Sequence, residues 1–155
     1  MRLRLLAGAV KPTVGHRPAP VRPLTRLYHF TSPVHLPAIE RSGVLRRTES
    51  NLHPVVEHAG PDVVWFTTEA VPLLGHGLDG GAADKAAVRF TVEVPSSWVH
   101  EWAPWAVAHG IDHAWLAALV ESGGGTAAAR TWRVTERPVR SDRWVAVERR
   151  PAGGW

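Results

Sequence analysis

Cysteine is absent from the 155 residues, which excludes disulfides, thiol nucleophiles and every cysteine-based metal site. Lysine is nearly absent: of eighteen basic residues only Lys11 and Lys85 are lysines, so the other sixteen (18 − 2) are arginines. Long apolar runs are missing too. Leu5 to Val10, after Arg2 and Arg4, falls short of the ~7–15 residues of a secretory signal core. Nothing approaches the ~20 residues of a membrane span. A soluble, cytoplasmic protein with no membrane partner is the expectation. No P-loop, Gly-x-Ser-x-Gly elbow or dinucleotide glycine fingerprint occurs, so those enzyme classes fall away. No metal is expected. His53, Glu57 and His58 fit no zinc-helix spacing, and Gly110 and Asp112 separate His109 from His113.

Arginine is what the chain has instead. The guanidinium fork suits phosphate, so the bias reads as anion binding or as a by-product of composition. Seven arginines lie between Arg130 and Arg150, and the net charge is +4. That balance tolerates a nucleic-acid partner without demanding one. One domain is expected at this length, able to bury roughly 70% of its unfolded surface without staples.

Residues 1–23 read as a proline-rich leader, 24–150 as a single domain and 151–155 as a tail. Arg26 to Phe30 reads as a strand. A helix follows, starting at His35 or Leu36 behind Ser32 and Pro33, stopping at Gly43, and turning Leu36 and Ile39 to the core. Residues 46–61 read as a polar loop and Asp62 to Thr68 as a strand too apolar for a sheet edge. The glycine-rich stretch 70–85 reads as a loop. Val88 to Val94 alternates, with Val88, Phe90, Val92 and Val94 on one face and Arg89, Thr91 and Glu93 on the other. Trp98, Trp102 and Trp105 recur at helical spacing, with a kink expected at Pro104. Asp112 caps a second helix carrying Trp115, Leu116 and Leu119, which Gly123-Gly124-Gly125 ends. Strands Thr131–Glu136 and Arg143–Glu148 close the chain as a basic hairpin through a turn at Pro138. The class is α+β.

Two strands end in polar side chains: Leu27-Tyr28-His29-Phe30-Thr31-Ser32, and Val63-Val64-Trp65-Phe66-Thr67-Thr68-Glu69. They read as two walls of one cleft. His29 sits among aromatic neighbours and needs hydrogen-bond partners, either as a structural histidine or as a ligand-binding one. Thr31 and Ser32 place short hydroxyls where a strand turns into a helix, as a simple cap or as contacts to phosphate or ribose. Alternation puts Trp65 with Thr67 on one side of its strand, and that pair is the expected cleft wall. The tryptophans between Trp98 and Trp115 read as core first and as a base-stacking platform second.

Tyr28-His29-Phe30-Thr31, His35-Leu36-Pro37-Ala38-Ile39 and Gly43-Val44-Leu45 together resemble the opening of the ADP-ribosyltransferase superfamily. The nearest patterns are those of DNA ADP-ribosyltransferase toxins and tRNA 2′-phosphotransferases, both users of NAD. The resemblance covers roughly 25–70 and, more weakly, 131–148. It implies a mainly antiparallel split β-sheet with short helices and, here, a tryptophan-rich helical insert. It also implies an NAD-dependent, toxin-like transferase that cleaves the nicotinamide–ribose bond and transfers ADP-ribose, or uses NAD as phosphate acceptor. The resemblance makes NAD the substrate, DNA or RNA the preferred acceptor and a cognate antitoxin or regulator a further partner to look for. By resemblance His29 binds the adenosine ribose and the backbone around Phe30 holds the nicotinamide amide. The second strand supplies a stacking wall for nicotinamide from its aromatic residues, Trp65 and Phe66, with its hydroxyls lining the cleft; plain core packing is the alternative for both rings.

The third motif departs from the family pattern. Breaking the nicotinamide–ribose bond builds positive charge on the sugar, which a nearby carboxylate stabilises. The resemblance puts Trp132 where many relatives carry a glutamate, and leaves Glu136 and Glu148 as substitutes. The phosphotransferases manage with arginines. Arg46 and Arg47 then become catalytic candidates for a pyrophosphate, with Glu49 and Asn51 in the same loop. The competing expectation is a catalytically inactive module of the same fold, binding nucleic acid, protein or ADP-ribose.

Overall fold

The valine-rich alternation builds the longest ladder among the described residues. Strand β4 (Val88–Pro95) runs antiparallel to β1 (Leu24–Thr31) over eight register pairs, from Leu24 opposite Pro95 to Thr31 opposite Val88. Val88, Phe90, Val92 and Val94 are all fully buried on one face, as period-2 patterning requires. The computed structural model describes residues 22–48, 55–73 and 84–155.

Around this pair the remaining strands assemble as β5-β6-β3-β1-β4-β8, all antiparallel. These are β3 (Val64–Thr67), β5 (His100–Glu101), β6 (Trp132–Thr135) and β8 (Trp144–Arg149). The apolar strand β3 is interior, between β6 and β1, as its composition demanded. A separate two-stranded sheet pairs β2 (Val44–Leu45) with β7 (Val139–Arg140). The class is α+β, a mostly antiparallel sheet with a few short helices. No helix among the described residues is long and apolar enough to cross a membrane.

Each face has its own core. Leu27, Val64, Phe66 and the β4 side chains pack against Leu36 of α1 (Leu36–Ser42) and against Leu45 and Val139 of the small sheet. Helix α1 ends at Gly43, which adopts φ 62° and donates its N–H to Ile39 O at 2.8 Å. Only glycine takes that turn cheaply, and a Cβ there would also stand 3.3 Å from Ser141 Oγ. The second core joins Val134 and the half-buried Trp65 and Trp132 to α2 (Trp102–Ala108) and α3 (His113–Ser122). Trp102 is its largest fully buried side chain. Asp112 caps α3 as expected, accepting from Trp115 N at 2.9 Å.

Two expectations are corrected. Trp98 does not share a helix with Trp102 and Trp105, because β5 intervenes and α2 begins only at Trp102. Pro104 therefore falls in the first turn of α2, where its missing N–H has no intrahelical acceptor, and the helix runs on unbroken through it. The two closing strands do not form a hairpin. β6 joins the sheet beside β3 while β8 takes the edge beside β4, and β7 pairs with β2 on the way between them. Helix α3 does end at Gly123, as the glycine run predicts, and Gly125 then opens a further short helix, α4 (Gly125–Ala129). The segment 151–155 reaches back to the sheet: Trp155 Nε1 donates to Ala86 O at 2.7 Å, and its ring lies edge-on to Phe30.

Candidate functional site

The sheet is weakest between β1 and β3. These strands share one register pair, Tyr28 opposite Thr67, against eight pairs between β1 and β4. A seam of this kind leaves backbone groups of both strands in need of other partners. The His29 side chain supplies one: its Nδ1–H donates to Trp65 O at 2.8 Å across the seam. A carbonyl can only accept, so Nδ1 carries the proton and, in the neutral ring, Nε2 is left as an acceptor. Phe66 and Phe90 flank the imidazole edge-on at 5.9 and 6.2 Å. Desolvation among these rings lowers the His29 pKa, and the Trp65 carbonyl offsets this only in part. Near neutral pH His29 is an uncharged, oriented hydrogen-bonding group.

The register decides which neighbours it has. Tyr28 opposite Thr67 places Thr67 and Trp65 on one face of the sheet, and His29, Thr31, Phe66 and the succeeding Thr68 on the other. The expected wall of Trp65 and Thr67 therefore does not face His29. Trp65 lies 5.9 Å from Trp102 and 6.2 Å from Trp132 as part of the second core. Thr67 donates to Thr131 Oγ1 at 2.9 Å and accepts from Glu69 N at 3.1 Å. Phe66 and Thr68, which belong to the expected second motif but not to its preferred pair, are the residues of that motif on the His29 face. Alternation shows which residues share a face of β3 but not which face meets β1. Only the pairing across the seam settles that.

The other candidates scatter. Thr31 and Ser32 are buried, and the Ser32 hydroxyl accepts from Val34 N at 3.3 Å, shaping the turn into α1. Phe30 points to the opposite face from His29, towards Trp155. Glu136 Oε1 accepts from Trp105 Nε1 at 2.8 Å and lies 3.4 Å from His109 Nε2, bracing the helical insert. Glu148 holds Arg89 through both Nε (3.1 Å) and Nη2 (2.7 Å). Both glutamates are committed to structural pairs, Glu148 through an Arg89 that also lies 5.7 Å from the Tyr28 ring and donates to Ala70 O. Trp132 is packed at 4.9 Å against Trp102. Arg46 and Arg47 are exposed and make no hydrogen bond or ion pair with any described residue. Asn51 and Glu49 lie outside the described residues, as do His53 and most of the glycine-rich stretch. Among the described residues no group of three or more acidic or histidine side chains is placed to hold a metal ion.

No family model, curated protein or solved structure matches this chain.

Proposed function

We propose that the chain is an ADP-ribosyltransferase-like, NAD-using transferase whose nucleotide cleft lies along the β1–β3 seam. The observation that carries this reading is His29, fixed across the seam by its bond to Trp65 O with Nε2 left to accept from a ligand hydroxyl. A ribose supplies such a hydroxyl. Phe66 and Thr68 share its face, and the exposed guanidiniums of Arg46 and Arg47, which have no partner among the described residues, suit a pyrophosphate. In the reaction the nicotinamide–ribose C–N bond breaks, nicotinamide leaves with the bonding electrons, and a nucleophile of the acceptor forms the new bond at the ribose carbon. A nucleic acid is the preferred acceptor. With Glu136 and Glu148 engaged elsewhere, arginine electrostatics rather than a carboxylate would support the charged intermediate.

That same engagement favours a second reading, a module of this fold that binds a nucleotide without turning it over. Calorimetry with NAD, following nicotinamide release in the same samples, separates the two. Wild type binds in both readings, and release occurs only in the first. His29→Ala and the Arg46→Ala/Arg47→Ala double variant should each weaken binding at least tenfold, about 1.4 kcal/mol, with circular dichroism unchanged. Undiminished affinity in both variants would remove the seam as the nucleotide site.

A further inference from the structure

The ladder of β8 on β4 ends where Arg150 N donates to Ala87 O at 2.8 Å. Pro151 O then accepts from Gly154 N at 3.0 Å, and Gly154 takes φ 94°, left-handed backbone that glycine adopts at little cost. This turn sends the chain back to the sheet. Trp155 is seated there by groups remote in sequence. Its Nε1 donates to Ala86 O at 2.7 Å, its ring stands edge-on to Phe30 at 5.9 Å, and the Arg89 guanidinium lies 4.3 Å from its centroid. A carbonyl, a ring edge and a cation together suit an indole. Residues 151–153 are exposed and Trp155 belongs to neither core, so the segment can leave without disturbing either.

Arg89 is what the indole covers. It stands opposite Phe30 and so shares the face of Phe30 and Tyr28, away from His29. Nε and Nη2 bond Glu148 on β8, whereas Nη1 donates to Ala70 O, just beyond β3. Since β1 lies between β4 and β3, the side chain crosses β1 to get there, passing 5.7 Å from the Tyr28 ring centre. One guanidinium thus ties β4 and β8 to the chain leaving β3, across a seam that has a single register pair. The Arg89 side chain is only 15% exposed, and shielding from water strengthens its charge-assisted bonds. We infer that residues 151–155 form a displaceable strap: seated, Trp155 holds Arg89 stretched over β1 and latches the seam; released, it lets the seam open more often. The inference stands on the bonds of Arg89 and not on NAD binding. Its test uses no nucleotide, so the two readings fail separately.

The backbone supplies an internal control. Ser96 N donates to Pro23 O directly opposite, so alternate residues of β1, among them Leu27 and His29, turn their amides to β4. Tyr28 and Thr67 face each other across the seam. Native-state amide exchange of the full chain, followed by NMR, reads both sets at once. Trp155→Gly should speed exchange at Tyr28 and Thr67 about tenfold or more and leave Leu27 and His29 nearly unchanged. In an Arg89→Met background, where the seam is already unlatched, Trp155→Gly should add nothing. The inference is overturned if Trp155→Gly leaves the seam amides as they were, if it speeds Leu27 and His29 equally, or if its full effect persists without Arg89.

Discussion

On one side of the seam, β1, β4 and β8 run for eight, eight and six residues over a core of leucine, valine and phenylalanine. On the other, β3, β6 and β5 run for four, four and two residues and lean on Trp65, Trp102, Trp105 and Trp132. Long strands with clean alternation carry their own register, because a slip of one residue would turn every valine of β4 to the opposite face. Short strands cannot do this alone. Their positions are set by large rings whose fit depends on neighbours brought from elsewhere in the chain, so the tryptophan half is specified by shape where the aliphatic half is specified by pattern.

The largest effect should come from breaking the patterned half. Phe90 is fully buried and touches the rings of His29 and Trp144, at 6.2 and 5.0 Å. Phe90→Ala should cost about 3–5 kcal/mol in urea unfolding; a loss below about 1 kcal/mol would mean that this core is not well packed. A smaller effect tests the shape-specified half. A Cβ on Gly123 would lie 2.3 Å from the Trp132 ring, so Gly123→Ala must push that indole off its neighbours. We expect a loss of about 1–3 kcal/mol and a changed near-ultraviolet tryptophan spectrum. An unaltered spectrum would show that Trp132 is not held as tightly as its contacts imply.

The smallest effect belongs to the seam itself. Burial lowers the His29 pKa, so below the ordinary histidine value of about 6.5 the unfolded chain binds a proton that the folded one resists. Its contribution to stability is complete above that value and is lost as pH falls towards the depressed folded value. His29→Gln should lose that part of the acid-side slope of stability against pH. An identical slope in the variant would assign the titration to other histidines.

How much was legible follows the same division. The β4 faces, the interior position of β3, the Gly43 stop and the Asp112 cap are all local rules of period, composition or backbone geometry, and each was readable in advance. β2, β5 and β7 are two-residue strands, too short for any period to register. The closing hairpin failed because nothing local tells β6 and β8 to join opposite sides of the sheet. In the candidate site, His29 was readable as a histidine needing partners, whereas its partner, Trp65 O, is a backbone atom that no side-chain pattern reveals. Trp65 and Thr67 were assigned to the wrong wall for want of one register pair.

That one pair, Tyr28 with Thr67, also sets how the molecule comes apart. A sheet joined along a line by so few backbone pairs should open there more readily than along the β1–β4 ladder, and what resists is the shared core of Val64 and Phe66 with Leu27 and Phe90. Brief excursions along this line would expose the strand edges of β1 and β3 to solvent while the β1–β4 ladder stays shut. A molecule that grips at this line would hold the two halves shut, and its binding would be registered as slower opening of the whole tryptophan half.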